Sequence, residues 1–361
     1  MNTISNEQRA NRAVSNWIFL GVIMLLVQVV LGGVTRLTGS GLSITEWDVV
    51  TGFLPPLNEH QWLEKFAKYQ QSPQYRLLNS DFTLANFKFI FFWEWFHRLW
   101  ARLIAVAFVV GFIYLLAKKY IKKEMVKPLL ILFIFGAFQG AIGWIMVASG
   151  LTGDAVYVRP TKLAMHFIFA LALISYAFWQ GLQLKIPAGK RTSLPGIHKW
   201  SWALVVLLFV QLIFGALMAG HKAATAAPTW PTINGSWVPA GMLKEEPVTL
   251  NFFENKITIH FVHRGLAYAL LILIIIYSAK VFRISSTSEI FTKARRIPLI
   301  LVTLQVLLGI LSVLTSTGII PHHWGAFEWL AQLHQITGML LLLSLVAMVF
   351  LTRQSFFKQP S

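Results

Sequence analysis

The chain has 361 residues, of which 56% are hydrophobic and only 12% charged, with a mean hydropathy of +0.62, a balance that one water-soluble core could not bury. Its formal net charge of +17 would point to nucleic acid in a soluble protein, but here the basic residues fall between apolar runs, where they report membrane topology and imply no nucleic-acid partner. Cysteine is absent, which excludes disulfides, thiolate metal sites and cysteine nucleophiles, so any metal or haem must be held by His, Met, Tyr or carboxylate.

In chain order, the polar stretch Met1 to Ser15 reads as a short cytoplasmic tail, too short for a transit peptide. Apolar runs of bilayer-crossing length follow near 17–36, 88–117, 128–149, 161–183, 199–220, 257–279, 297–318 and 328–351. The fold class expected is therefore all-α integral membrane with eight transmembrane helices. Lys118, Lys119, Lys122, Lys123 and Lys127 follow the second run, Lys190, Arg191 and Lys199 the fourth, and Lys293, Arg295 and Arg296 the sixth, while Arg353 and Lys358 close the chain. The alternate loops are poorer in basic residues, and the longest, 37–87, offsets Lys65, Lys68 and Arg76 with Glu46, Asp48, Glu59, Glu64 and Asp81. This bias places both termini in the cytoplasm.

Two patterns repeat. Every odd run carries Gln-x-x-x-Gly: Gln28 with Gly32, Gln139 with Gly143, Gln211 with Gly215, and Gln305 with Gly309. The four-residue step puts both on one helix face, where Gly permits close helix packing and Gln an interhelical hydrogen bond. Every even run carries one histidine near its outer end: His97, His166, His263 and His334. His97 to His263 and Gln139 to Gln305 are each 166 residues apart, and His166 to His334 is 168. The chain thus reads as a duplicated unit, two tandem four-helix bundles over 1–190 and 191–361, related by a pseudo-twofold axis along the membrane normal.

Ionisable side chains inside a bilayer are costly and mark function. Neutral imidazole ligates iron, and helix bundles hold cofactors between facing side chains. His97 with His166, and His263 with His334, are the natural axial pairs for two haems lying side by side toward the outer face. His60, His198, His221, His322 and His323 read as loop, interfacial or helix-end residues. The halves differ at one point: Glu94 stands one turn from His97, whereas the equivalent position is His260. A membrane-embedded carboxylate beside a candidate ligand can exchange protons with a reacting group, or else pair structurally with Arg98 or Arg102. Arg98 and Arg264 directly follow the histidines and could clamp haem propionates or pair locally.

The stretch Gly32-Gly-Val-Thr-Arg-Leu-Thr-Gly-Ser-Gly-Leu-Ser43, with Glu46-Trp47, Gly52 and Pro55-Pro56, resembles the first outer loop of haem A synthases of the mitochondrial and proteobacterial type, the branch without cysteines. Phe87-Lys88, Glu94 with His97-Arg98, Gly143-Trp144, Met146-Val147, Ser149-Gly150-Leu151, His263-Arg264 and His334-Gln335 extend the resemblance along the chain. Lys162 departs from the Arg expected there, and Ala227-Pro228-Thr229 lacks the usual Asn before Thr. The resemblance implies oxidation of the haem O methyl group to the formyl group of haem A. It further implies His97 and His166 facing the substrate haem, Glu94 as the acid/base or cation-stabilising residue, and a permanent haem b on His263 and His334. Haem O synthase and terminal oxidase assembly factors would be partners in a bacterial inner membrane, with the electron acceptor and any homo-oligomer left open. A bis-histidine cytochrome linked to quinol, or a haem or solute transporter, remain alternatives on the residues alone.

Overall fold

A computed structural model describes residues 6–46 and 52–354, so Trp47, Asp48 and Lys358 lie outside the described residues. Eight helices are long and apolar enough to cross a membrane. They are α1 (Asn6–Leu37), α2 (Leu84–Ala117), α3 (Lys123–Ala148), α4 (Pro160–Lys185), α5 (Pro195–Gly220), α6 (Lys256–Phe282), α7 (Ile297–Thr315) and α8 (Ala326–Thr352). The chain is an all-α, multi-pass membrane protein.

Each span matches an expected apolar run except at the N-terminus, where α1 starts at Asn6 and most of the expected polar tail is helical. Ala10, Val14 and Ile18 recur every four residues as a buried stripe. Ser15 Oγ donates to the Gly181 carbonyl of α4 at 3.0 Å. Arg12 and Asn16 between them are exposed, so a composition that reads as a tail is the first part of α1.

Helix starts follow local chemistry. Thr83 and Asn86 form a capping box at α2, Asn255 accepts from the amides of Ile257 and Thr258 at α6, and α4, α5 and α7 begin with proline in the first turn, where a missing N–H costs nothing. The α1–α2 loop, charged and without a long apolar run, also forms two short helices, Glu59–Gln70 and Pro73–Leu78. Tyr69, Phe82, Phe87, Ile90 and Phe91 bury together beneath them. Lys65 and Lys68 clasp Glu46 at 2.6 and 2.7 Å, and their hydrogen bonds, Lys65 first, hold the Glu46 carboxyl below the usual carboxylate range. The clasp is therefore complete at neutral pH and is lost only as acid titrates Glu46 through that lowered value.

Among the first four spans α1 packs on α2 and α4, and α3 on α4; among the last four α5 packs on α6 and α8, α7 on α6 and α8. The two sets meet through α4 against α5 and α8, and α1 against α8. At the α1–α8 seam Gln335 Nε2 donates to the Val29 carbonyl at 2.9 Å and Gln332 Nε2 to that of Val30 at 3.2 Å. One contact has no counterpart: α6 packs on α7, whereas α2 and α3 have no comparable packing. Where α3 carries Gly136 and Gly140 with open space beside them, α7 carries Val302 and Val306 at the same offsets, and Val302 is buried.

Candidate functional site

The four repeated histidines line one cavity of about 1430 Å³ that reaches both sets of helices. That exceeds the roughly 300–1,000 Å³ of a pocket for one small molecule. His263 and His334 face each other with ring centres 6.4 Å apart and planes at 75°. Imidazole nitrogen binds a transition metal at about 2.0–2.1 Å, and the ring centre lies roughly 1 Å behind it, so two axial imidazoles on one ion hold their centres about 6 Å apart. The residues fit an axially ligated haem iron. His97 and His166 lie within electrostatic reach of each other on the same cavity. Among the described residues no three His, Asp or Glu side chains gather as a bare metal-ion site.

The Gln-x-x-x-Gly repeat proves to be the mount for these rings. An added Cβ at Gly32, Gly143, Gly215 or Gly309 would stand 3.2, 2.8, 3.1 and 2.8 Å from Cε1 of His97, His166, His263 and His334 respectively. Each glycine thus makes room for one imidazole. One turn away, Gln28 Nε2 donates to the His97 carbonyl at 3.2 Å and lies beside both ring nitrogens, and Gln139 Nε2 donates to the His166 carbonyl at 3.0 Å. His334 Nδ1 donates to the Gln305 carbonyl at 2.9 Å, which makes Nε2 the acceptor nitrogen, and Gln305 Nε2 stands beside it at 3.2 Å. The side-chain oxygens of Gln28, Gln139, Gln211 and Gln305 are all buried without a protein partner. The close packing by Gly and the interhelical hydrogen bond by Gln that the sequence leads one to expect are both present; that the histidine of the following helix is the partner of both was the missed signal.

Glu94 is 2% exposed and accepts three hydrogen bonds. Its Oε2 accepts from Ser43 Oγ at 2.7 Å and the Ile44 amide at 2.9 Å, and its Oε1 from Arg98 at 2.6 Å. Arg98 also donates to the carbonyls of Ile44 and Glu46 at 3.3 and 3.4 Å. Helix α2 and the loop after α1 are thus locked by one carboxylate–guanidinium pair facing the cavity. The pairing expected with Arg98 or Arg102 is with Arg98. In the last four helices Arg264 plays the matching part, donating to the carbonyls of Thr232 and Ala227 at 3.1 and 3.0 Å, but position 260 offers no acid for it. Arg36, at the end of α1, also lines the cavity, with Glu328 within electrostatic reach; sequence reading gave it no role.

The other histidines are placed as the reading had them, with one addition. His198 bonds the Val349 carbonyl at 3.0 Å and His221 that of Phe253 at 2.6 Å. His322 and His323 line the cavity mouth, His322 edge-on to Phe82 at 4.7 Å. Lock and tie predict different stabilities. Arg98→Leu would strand a buried carboxylate, a loss of about 3–5 kcal/mol; Arg264→Leu removes a donor only from two carbonyls. Thermal unfolding of the two variants in detergent should show the first falling much further than the second.

These features define a multi-pass helical membrane protein with paired histidines around an internal cavity. The family described as cytochrome oxidase assembly protein matches residues 15–346. The chain belongs to that family. It is 39% identical over 320 residues to a heme A synthase of Bartonella henselae, covering 87% of each chain. Similar proteins of the same name include one from Parvibaculum lavamentivorans, 41% identical over 276 residues and covering 76% of this chain and 79% of that one. A third, from Paracoccus denitrificans, is 37% identical over 341 residues, covering 89% and 86%.

Proposed function

We propose that the chain is a haem A synthase, a membrane oxidoreductase that converts haem O to haem A for cytochrome oxidase assembly. The paired imidazoles around one cavity carry this reading, and the relatives named heme A synthase favour it over a plain electron-transfer cytochrome. A plain cytochrome needs the same four histidines but no carboxylate for chemistry at position 94.

In the finer assignment, residues 1–190 form a substrate bundle and 191–361 a bundle with a resident haem b, related by a pseudo-twofold axis. His263 and His334 would hold haem b, which supplies one-electron transfer when bound. His97 and His166 would orient the substrate haem, and Arg98 and Arg264 hold the loops over the cavity, leaving propionate binding as a second use of the same guanidinium groups. Glu94, held by three donors, acts as the acid/base or as a preorganised negative charge toward positive charge developing on the substrate. The less packed α2–α3 side, which meets at Phe108 and Phe133 and leaves Gly136 and Gly140 open, supports exchange of an amphipathic substrate in the first half, while the packed α6–α7 side supports a group that stays. Haem O synthase and terminal oxidase assembly factors would be partners, in a bacterial inner membrane with both termini cytoplasmic.

The test is extraction and chromatography of haems from cells that make haem O, with and without this chain. Haem A appearing only with the chain is expected; haem O unchanged in both would overturn the reading.

A further inference from the structure

His260 is 0% exposed, lines the cavity, and has no partner at either ring nitrogen. A neutral imidazole carries one donor and one acceptor, so burying both unpaired is costly unless a ligand completes them. The same place in the first half is fully paired: Glu94 accepts from Ser43, Ile44 and Arg98. The arginines four residues on serve alike in both halves, each donating to two loop carbonyls. The scaffold is therefore conserved within the molecule, and only position 260 is left open. A half that releases its ligand each turnover must be satisfied without it. A half that keeps its ligand can rely on it.

We infer that His260 is a built hydrogen-bonding site for a propionate carboxylate of the haem held by α5–α8, and that it governs how firmly that haem is retained. The inference rests on the reading of that half as the resident-haem half. His260 stands three residues before His263, on the same helix face and one turn nearer the loops. If the facing pair His263 and His334 holds the iron, His260 would be left to bond a polar group of the haem other than its iron. The polar substituents at a porphyrin edge are its carboxylates, which are strong acceptors. The cationic Arg264 within electrostatic reach of His260 favours an anion there.

The experiment uses the purified full chain and measures haem transfer to excess apomyoglobin, for the wild type, His260→Phe and His260→Gln. Each is loaded with haem or with haem whose two propionates are methyl esters. With native haem, His260→Phe should release about tenfold faster, as expected for loss of one hydrogen bond to a charged group. His260→Gln, which keeps a donor, should stay within about threefold on the same scale. With the ester the wild-type release rate should rise to that of His260→Phe. Equal release by wild type and His260→Phe, or a difference that the ester leaves intact, overturns the inference. If His260→Phe does not fold, the ester comparison on the wild type and His260→Gln decides it. A bis-histidine spectrum that survives His263→Ala and His334→Ala but not His97→Ala would strike the assignment of the resident half itself, and with it this role for His260.

Discussion

Glu94→Gln should leave bound haem in place and reduce haem A formation by about a hundredfold or more, the loss typical when one preorganised electrostatic group is removed from a reacting centre. The substitution keeps the shape of a side chain that is 2% exposed but removes its charge. Arg98 retains the carbonyls of Ile44 and Glu46 as acceptors, so the loop stays tied while the negative charge is gone. The amide also brings a donor toward Ser43 and the Ile44 amide, which both donate to Oε2; rotation of the amide can meet only one side of this set. Haem content by spectrum, thermal unfolding and extracted haem A should be measured on the same preparation. Normal haem A from that variant removes Glu94 from the chemistry, and loss of all bound haem reassigns it to scaffolding.

Much of the architecture is legible in sequence because the bilayer imposes it: a helix needs about 20 apolar residues to cross, and eight such runs recur in eight helices. The paired histidines were legible through their cost, since an imidazole inside lipid demands a reason. The N-terminal end of α1 was not, because Asn11 and Arg12 hide a buried stripe of Ala10, Val14 and Ile18 that only packing on α4 exposes. The loop helices escaped for a related reason: Tyr69 and Phe87 sit far apart in sequence and declare a core only when stacked, 5.2 Å between ring centres. Glu94 was legible as a buried acid, but not its donors from the loop, because Ser43 and Ile44 reach it from some fifty positions earlier. His260 appeared in sequence only as the residue standing where an acid stands in the other half. That it lacks a partner is a statement about every neighbour at once, which no spacing encodes.

The glycine mounts give the second large effect. An added Cβ at Gly309 would stand 2.8 Å from Cε1 of His334 and 3.4 Å from its Nδ1, while that Nδ1 is pinned to the Gln305 carbonyl at 2.9 Å. The ring cannot retreat without breaking the bond that sets its tautomer, so Gly309→Ala must displace the ligand or spread α7 from α8, at about 1–3 kcal/mol for the overpacking alone. Purified Gly309→Ala should therefore have lost the bis-histidine absorbance. Gly143→Ala places the same methyl 2.8 Å from Cε1 of His166, but in the half read as the substrate site, so it should keep resident haem and lose haem A formation. Gly32→Ala and Gly215→Ala, at 3.2 and 3.1 Å, leave a few tenths of an ångström for relaxation and should weaken the same two properties without abolishing them. Gly265→Ala, on α6 beside Arg264, meets nothing within 4 Å and should match the wild type in both. The absorbance spectrum and extracted haems of these five variants read the assignment directly: resident haem lost from Gly143→Ala and kept by Gly309→Ala would exchange the roles of the two halves.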